Sequence, residues 1–174
     1  MSRFFITLFT ALSILLCNAQ EKHLEFNGVA INGTLEGITE DIKASGLKFD
    51  CYQGNISMFY GKYLGYETDV IAVFSIPKHL IPFHINVKFK GCDDRDELES
   101  QYYNLKESLS ALYGRPVETV HKTVFEYSCK FEVPETGIVE LKMDINQQDL
   151  HCNIIDFTDK QNNIKSEKAM FGDL

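Results

Sequence analysis

Apolar residues recur at intervals of three and four in two places along the chain, and each time several short segments of alternating apolar and polar positions follow. The first periodic stretch opens at Thr34, an N-cap after the turn residues Asn32-Gly33. It puts Leu35, Ile38 and Ile42 on one face and closes at Gly46, which predicts a helix of about eleven residues. Strands are expected at Leu47 to Tyr52, Ile56 to Tyr66, Val70 to Ile76 and Ile81 to Lys90. In the last, Ile81, Phe83, Ile85, Val87 and Phe89 are read as inward and His84, Asn86 and Lys88 as outward, the mark of a sheet with one covered face.

The second periodic stretch is the stronger. Asp94 with Glu97 makes a capping-box-like start, Leu98, Tyr102, Leu105, Leu109 and Leu112 form one stripe, and Gly114 with Pro116 stops it. Strands are expected at Val117 to Phe125, Glu126 to Val133, Gly137 to Ile145 and Leu150 to Phe157. Turns at Pro134 to Gly137 and Asn146 to Asp149 give the spacing of an antiparallel meander. Residues 160–174 read as a short helix around Ile164 to Phe171 or a frayed tail. The predicted fold class is α+β: a two-layer sandwich in which an antiparallel sheet carries two main helices on one face. The helix-plus-meander unit occurs twice, although the halves share pattern and not residues.

Ahead of these elements, Met1 to Ala19 has the form of a secretory leader: Arg3 supplies the positive end, and Phe4 to Cys17 is apolar over a length too short to span a bilayer. Cys17 and Ala19 place the cut before Gln20. A lipid-anchored Cys17 is the competing reading, against which stands Leu16, since lipoprotein leaders carry a small residue there. The expected product is exported, to the periplasm or beyond the cell, with no stable membrane insertion once the leader is gone. Its 155 residues suit one domain, 20–159, with 160–174 as a tail.

Loss of Arg3 leaves 16 Lys and Arg against 25 Asp and Glu, a net charge of −9. Nucleic acid is not an expected partner, because phosphate binding needs clustered cations, and Lys88 and Lys90 are followed at once by Asp93, Asp94, Asp96 and Glu97. Four cysteines remain. In an exported chain they suggest disulfides, with Cys51 to Cys92 and Cys129 to Cys152 as the first pairing and four reduced thiols as the alternative.

The segments Phe26-Asn27-Gly28-Val29-Ala30-Ile31-Asn32-Gly33-Thr34-Leu35, Leu105-Lys106 through Leu112-Tyr113-Gly114-Arg115-Pro116, Asn153-Ile154-Ile155-Asp156-Phe157 and Gly172-Asp173-Leu174 resemble a family of small uncharacterised exported proteins of anaerobic gut bacteria. The architecture this implies is similar to the helix-plus-sheet repeats of the β-lactamase-inhibitor-protein (BLIP-like) fold, a scaffold associated with protein binding. The resemblance lies in fold punctuation and carries no inhibitory residues.

For chemistry, the segment Met58 to Tyr66 holds three tyrosines and two glycines. On one strand Phe59, Gly61, Tyr63 and Gly65 share a face, and Met58, Tyr60, Lys62, Leu64 and Tyr66 the other. Phe59, Tyr60, Tyr63 and Tyr66 are therefore the candidate surface for a peptide strand, partner loop or sugar ring. The competing reading is a half-buried strand whose glycines admit helix side chains or a bulge.

His23, His79, His84, His121 and His151 lack metal-ligand spacing, His151 and Cys152 point to opposite faces of a strand, and no Cys-x-x-Cys occurs, so neither metal nor cofactor is expected. A thiol hydrolase would require Cys129 or Cys152 beside His121. The catalytic signatures Gly-x-Ser-x-Gly and His-Glu-x-x-His are missing. Asp93, Asp94, Asp96, Glu97 and Glu99 are explained by the helix start, and they do not follow the calcium-loop pattern. Asn55-Ile56-Ser57 spells a glycosylation acceptor that a bacterial export route would leave unused. The leading function is an exported, non-enzymatic module that binds a protein partner, as an inhibitor or in envelope assembly. The alternatives are a small hydrolase or thiol enzyme with a site assembled in space, and a structural part of a surface assembly.

Overall fold

A computed structural model describes residues 21–77, 79–119, 125–144 and 152–172; the leader, His121, His151 and the Asn146 to Asp149 turn lie outside these. Eleven strands are described: β1 Glu25–Phe26, β2 Val29–Ala30, β3 Lys48–Gln53, β4 Ile56–Tyr60, β5 Lys62–Tyr63, β6 Tyr66–Ser75, β7 Pro82–Phe89, β8 Val117–Thr119, β9 Phe125–Val133, β10 Gly137–Asp144 and β11 Cys152–Asp159. The helices are α1 Leu35–Ala44, α2 Arg95–Tyr113 and α3 Lys160–Phe171.

The main sheet runs β3-β4-β6-β7-β11-β10-β9-β8, with β5 attached to β6 and β1 and β2 forming a separate ribbon. Its order mirrors itself about the β7/β11 seam. Each half is a helix followed by four strands of this path, β5 being an extra strand of the first half, and the last strand of each half lies at the centre.

Register explains why one face is the core. Phe49, Phe59, Ile71, Val87, Ile155, Leu141 and Cys129 are successive partners across seven strands, and all point to the side bearing α1 and α2. Leu35, Ile38 and Ile42 of α1 and Leu98, Tyr102, Leu105 and Leu109 of α2 join them in one apolar cluster. At about 25 cal/mol per Å² of apolar surface removed from water, that shared cluster is the main stabilising term.

The caps agree with the sequence reading in part. Gly37 N donates to Thr34 Oγ1 at 3.1 Å, and Asp96 N donates to Asp94 Oδ1 at 2.9 Å. Glu97 does not close a capping box: it accepts the Cys92 thiol at 3.1 Å, and the Cys92 sulfur takes the Asp94 N–H at 3.4 Å. Leu112, the last residue but one of α2, is 60% exposed and leaves the stripe.

Ile56 to Tyr66 is not one strand. Leu64 and Gly65 have φ of 48° and 88° and make a two-residue reversal, with Tyr63 opposite Tyr66 across it. In β7, Phe74 pairs with His84 and Ser75 with Pro82, so Phe83 is the extra residue of a bulge and only Ile85, Val87 and Phe89 reach the core. Residues 160–171 form a complete helix, with Asp159 as N-cap to Asn162 N at 2.9 Å.

Segment 21–31 completes the helix side. Leu24, Phe26 and Ile31 are buried, the Phe26 ring lies 4.9 Å from Tyr63 and 5.2 Å from Phe157, and Leu24 N donates to buried Asp159 at 2.8 Å.

Candidate functional site

The reversal at Leu64-Gly65 scatters the four candidate surface residues. Phe59 and Tyr63 are 1% and 5% exposed and belong to the core. Burial pushes the Tyr63 phenol far above its usual range, so it is an inert packing group. Tyr66 turns toward α2, where Asn104 Nδ2 donates to its hydroxyl at 2.9 Å. Only Tyr60 reaches the face away from the helices, with the Lys48 ammonium 5.9 Å from its ring centroid. At Gly61 the side chain admitted is that of a loop residue and not of a helix: a Cβ there would stand 3.0 Å from Leu47 Cδ2, and its φ is 148°.

Neither expected disulfide forms: Cys51, Cys92, Cys129 and Cys152 are all reduced. Cys51 on β3 and Cys92 beyond β7 are three strand steps apart, about 14 Å, against a limit of about 7 Å between bridged Cα atoms. Cys129 pairs with Leu141 on the helix face, Cys152 pairs with Asp144 on the other, and β10 runs between them. The Cys51 and Cys152 thiols are pushed up chiefly by burial, and that of Cys92 by its bond to Glu97, so none of the three is an activated thiolate.

The face opposite α1 and α2 has two unlike halves. On β4 and the 70–74 stretch of β6 the outward positions are apolar, Ile56, Met58 and Tyr60, then Val70, Ala72 and Phe74, while Glu67 and Asp69 are exposed at the start of β6. Pairing sets Ile56 beside Phe74 and Met58 beside Ala72, which makes one patch across two strands. A sheet face turned to water normally reads polar, so this apolar run is an anomaly. No helix packs across this patch among the described residues; α3 meets the sheet at β7, β10 and β11, beside Pro82, Ile138 and Thr158.

The other half is charged and internally paired. Asn86, Asp156, Glu140 and Lys130 are successive partners across the seam. Asp156 accepts from Asn86 Nδ2 at 2.8 Å and from Lys142 Nζ at 3.0 Å, and His84 Nε2 lies 3.1 Å from it. With Nε2 donating to Asp156, His84 Nδ1 is left to accept from the Thr158 hydroxyl at 3.2 Å. Lys142 also meets Glu140 at 2.9 Å, and Lys88 meets Asp69 at 3.7 Å.

Burial alone would raise the Asp156 carboxyl. The bonds from His84 and Asn86 and the Lys142 charge overcome it and bring it down to about 2. A carboxylate held below its unfolded value stabilises the fold above that value, and the benefit is lost as pH falls toward the folded one. Asp156→Asn is therefore expected to cost about 2 kcal/mol at neutral pH and to flatten the stability loss between about pH 5 and pH 2. Urea unfolding at several pH values checks this, and unchanged acid sensitivity in the variant contradicts it.

Comparison with protein-family models, curated proteins and solved structures returns no match. The site is accordingly read from its own geometry. Two cavities, of about 390 and 440 Å³, are lined around Tyr66 and Asn104 and around Ile138 and Ile164; neither is lined by a histidine. Among the described residues no three His, Cys, Asp or Glu side chains cluster to hold a metal, and no helix is long and apolar enough to cross a membrane. The glycosylation triplet is closed: Asn55 donates its amide to Ser75 O and the Ser57 hydroxyl is buried. The β4/β6 patch had a sequence signal of its own in Val70-Ile71-Ala72-Val73-Phe74, apolar at every position, which marks a strand whose two faces both seek cover.

Proposed function

We propose that the protein is an exported, non-enzymatic binding module that engages a protein partner through the β4/β6 half of its open sheet face. The observation that carries this reading is the apolar set Ile56, Met58, Tyr60, Val70, Ala72 and Phe74 on the face that the helices leave uncovered. The charges beside it are paired with one another, so the face presents little unsatisfied charge, and the fitting partner is a protein surface of apolar and aromatic side chains. The leader-like start and the BLIP-like resemblance support export and protein binding.

The test is affinity capture from the native envelope with wild type, a Met58→Glu/Phe74→Glu variant and a Tyr103→Ala control on the helix layer. A protein retained by wild type and control in high salt, and lost from the face variant, is the expected result. Thermal unfolding of the variant within about 1 kcal/mol of wild type shows that the fold was kept. Identical captured sets from all three chains would remove the patch as the contact surface.

A further inference from the structure

α3 buries one side only. Asn162 and Ser166 face the domain, while Ile164, Glu167, Lys168 and Phe171 are exposed. At about 100° per residue these four form a single stripe, spaced i, i+3, i+4 and i+7, opposite the buried pair, and Met170 lies to one side of it. The ends of the stripe are apolar and its middle is charged. Phe171, 71% exposed, is the most exposed large apolar side chain among the described residues, and Ile164 at the other end is 42% exposed.

The order apolar, acidic, basic, apolar is its own complement when reversed. Laid antiparallel against α3 of a second copy, with the two-fold axis between residues 167 and 168, Phe171 comes opposite the partner's Ile164 and Glu167 opposite the partner's Lys168. Symmetry repeats both contacts, as an isologous pairing requires. A parallel pairing would set Glu167 against Glu167 and Lys168 against Lys168, so charge selects the antiparallel one. Glu167 accepts from Asn163 Nδ2 at 2.9 Å and keeps its negative charge for this contact.

A cavity stands where the incoming aromatic ring arrives. Ile164 lines it together with Val133, Pro134 and Ile138, its volume is about 440 Å³, and its wall is predominantly apolar. A phenyl ring fits that volume, and an aromatic side chain seated in an apolar pocket is the usual anchor of an interface. The net charge of −9 sets two copies against each other at long range, but at physiological salt screening acts within about 8 Å and leaves the local contacts to decide. Two helices of 12 residues make a small contact, which belongs to the weak, concentration-dependent class. We propose that α3 is a self-association surface, through which two copies of the protein pair antiparallel and each seats its Phe171 in the cavity of the other.

Sedimentation velocity of the mature chain, run from about 1 to about 300 μM, tests the assignment. Monomer should give way to dimer with a dissociation constant on the order of 10–100 μM. Phe171→Ala should weaken association about tenfold, and so should Glu167→Lys or Lys168→Glu alone, each of which sets like charges face to face. The double exchange Glu167→Lys/Lys168→Glu should restore it, and Met58→Glu/Phe74→Glu on the open face should leave it unchanged. All three α3 positions are exposed, so melting temperatures within about 3 °C of wild type are expected and show that the fold was kept. The inference is overturned if the chain stays monomeric throughout, if Phe171→Ala associates as wild type does, if the double exchange is no tighter than the single changes, or if the open-face variant is the one that abolishes the dimer.

Discussion

Replacing Phe26 by alanine is expected to lower the stability of the domain by about 3–5 kcal/mol, the largest effect of any substitution in the N-terminal segment. The residue belongs to a two-stranded ribbon outside the main sheet, yet its side chain is fully buried against Tyr63 and Phe157. Around that contact Tyr113 approaches Phe157 at 6.5 Å and donates its hydroxyl to Glu25 O at 3.2 Å. Burial pushes the Tyr113 phenol up to about 12, in keeping with a half-buried ring packed against the core. Truncation would leave a void bounded by rigid rings that cannot collapse into it, so the cavity cost adds to the lost transfer energy. Urea unfolding reads the effect, and Phe26→Leu should recover most of it. A loss below about 1 kcal/mol for the alanine would mean that the segment is peripheral to the core.

Gly137→Ala is expected to cost about 3 kcal/mol or more, for the opposite reason. Gly137 opens β10 and lies opposite Asp159, where β11 hands over to α3. A Cβ at this position would stand 2.2 Å from the Thr158 carbonyl oxygen and 3.3 Å from the Asp159 Cα. Backbone cannot step aside as a flexible side chain can, so the strand pair must separate. Separation would disturb Asp159, whose carboxylate accepts from Leu24 N and Asn162 N and lies 3.2 Å from His23 Nδ1. Losing that anchor should loosen the N-terminal segment and α3 together. Amide hydrogen exchange is the suitable readout, with faster exchange at Leu24, Ile31 and Asn162. Wild-type protection at all three would show that the two elements are not fastened through this residue.

How much of this was legible from sequence depends on whether the decisive position is apolar. Leu35, Ile38 and Ile42, and Leu98, Tyr102, Leu105 and Leu109, bury their side chains, so their spacing announces α1, α2 and the layer they form. α3 escapes the same reading because its buried positions are the polar residues Asn162, whose Nδ2 donates to Ile31 O and Pro82 O, and Ser166. The tyrosine stretch misleads because period-two reasoning assumes an unbroken strand. Leu64, a residue not expected at positive φ, supplies half of the reversal that sends Tyr63 into the core and Tyr66 to α2. Disulfide pairing failed on register, which sequence spacing does not encode. The open patch was half visible, since Val70 to Phe74 reads apolar on both sides, but only the pairing of β4 with β6 joins Met58 and Ile56 to it.

Hydroxyl-radical footprinting of three methionines tests the account most directly, because the fold puts each in a different setting: Met58 in the open patch, Met143 fully buried under the helices and Met170 exposed on α3. In the isolated mature protein Met58 and Met170 should be oxidised while Met143 is spared, and in the native envelope Met58 alone should become protected. Oxidation of Met143 as fast as Met58 would contradict the placement of the helices, and an equally reactive Met58 in both settings would show that nothing docks on the open face.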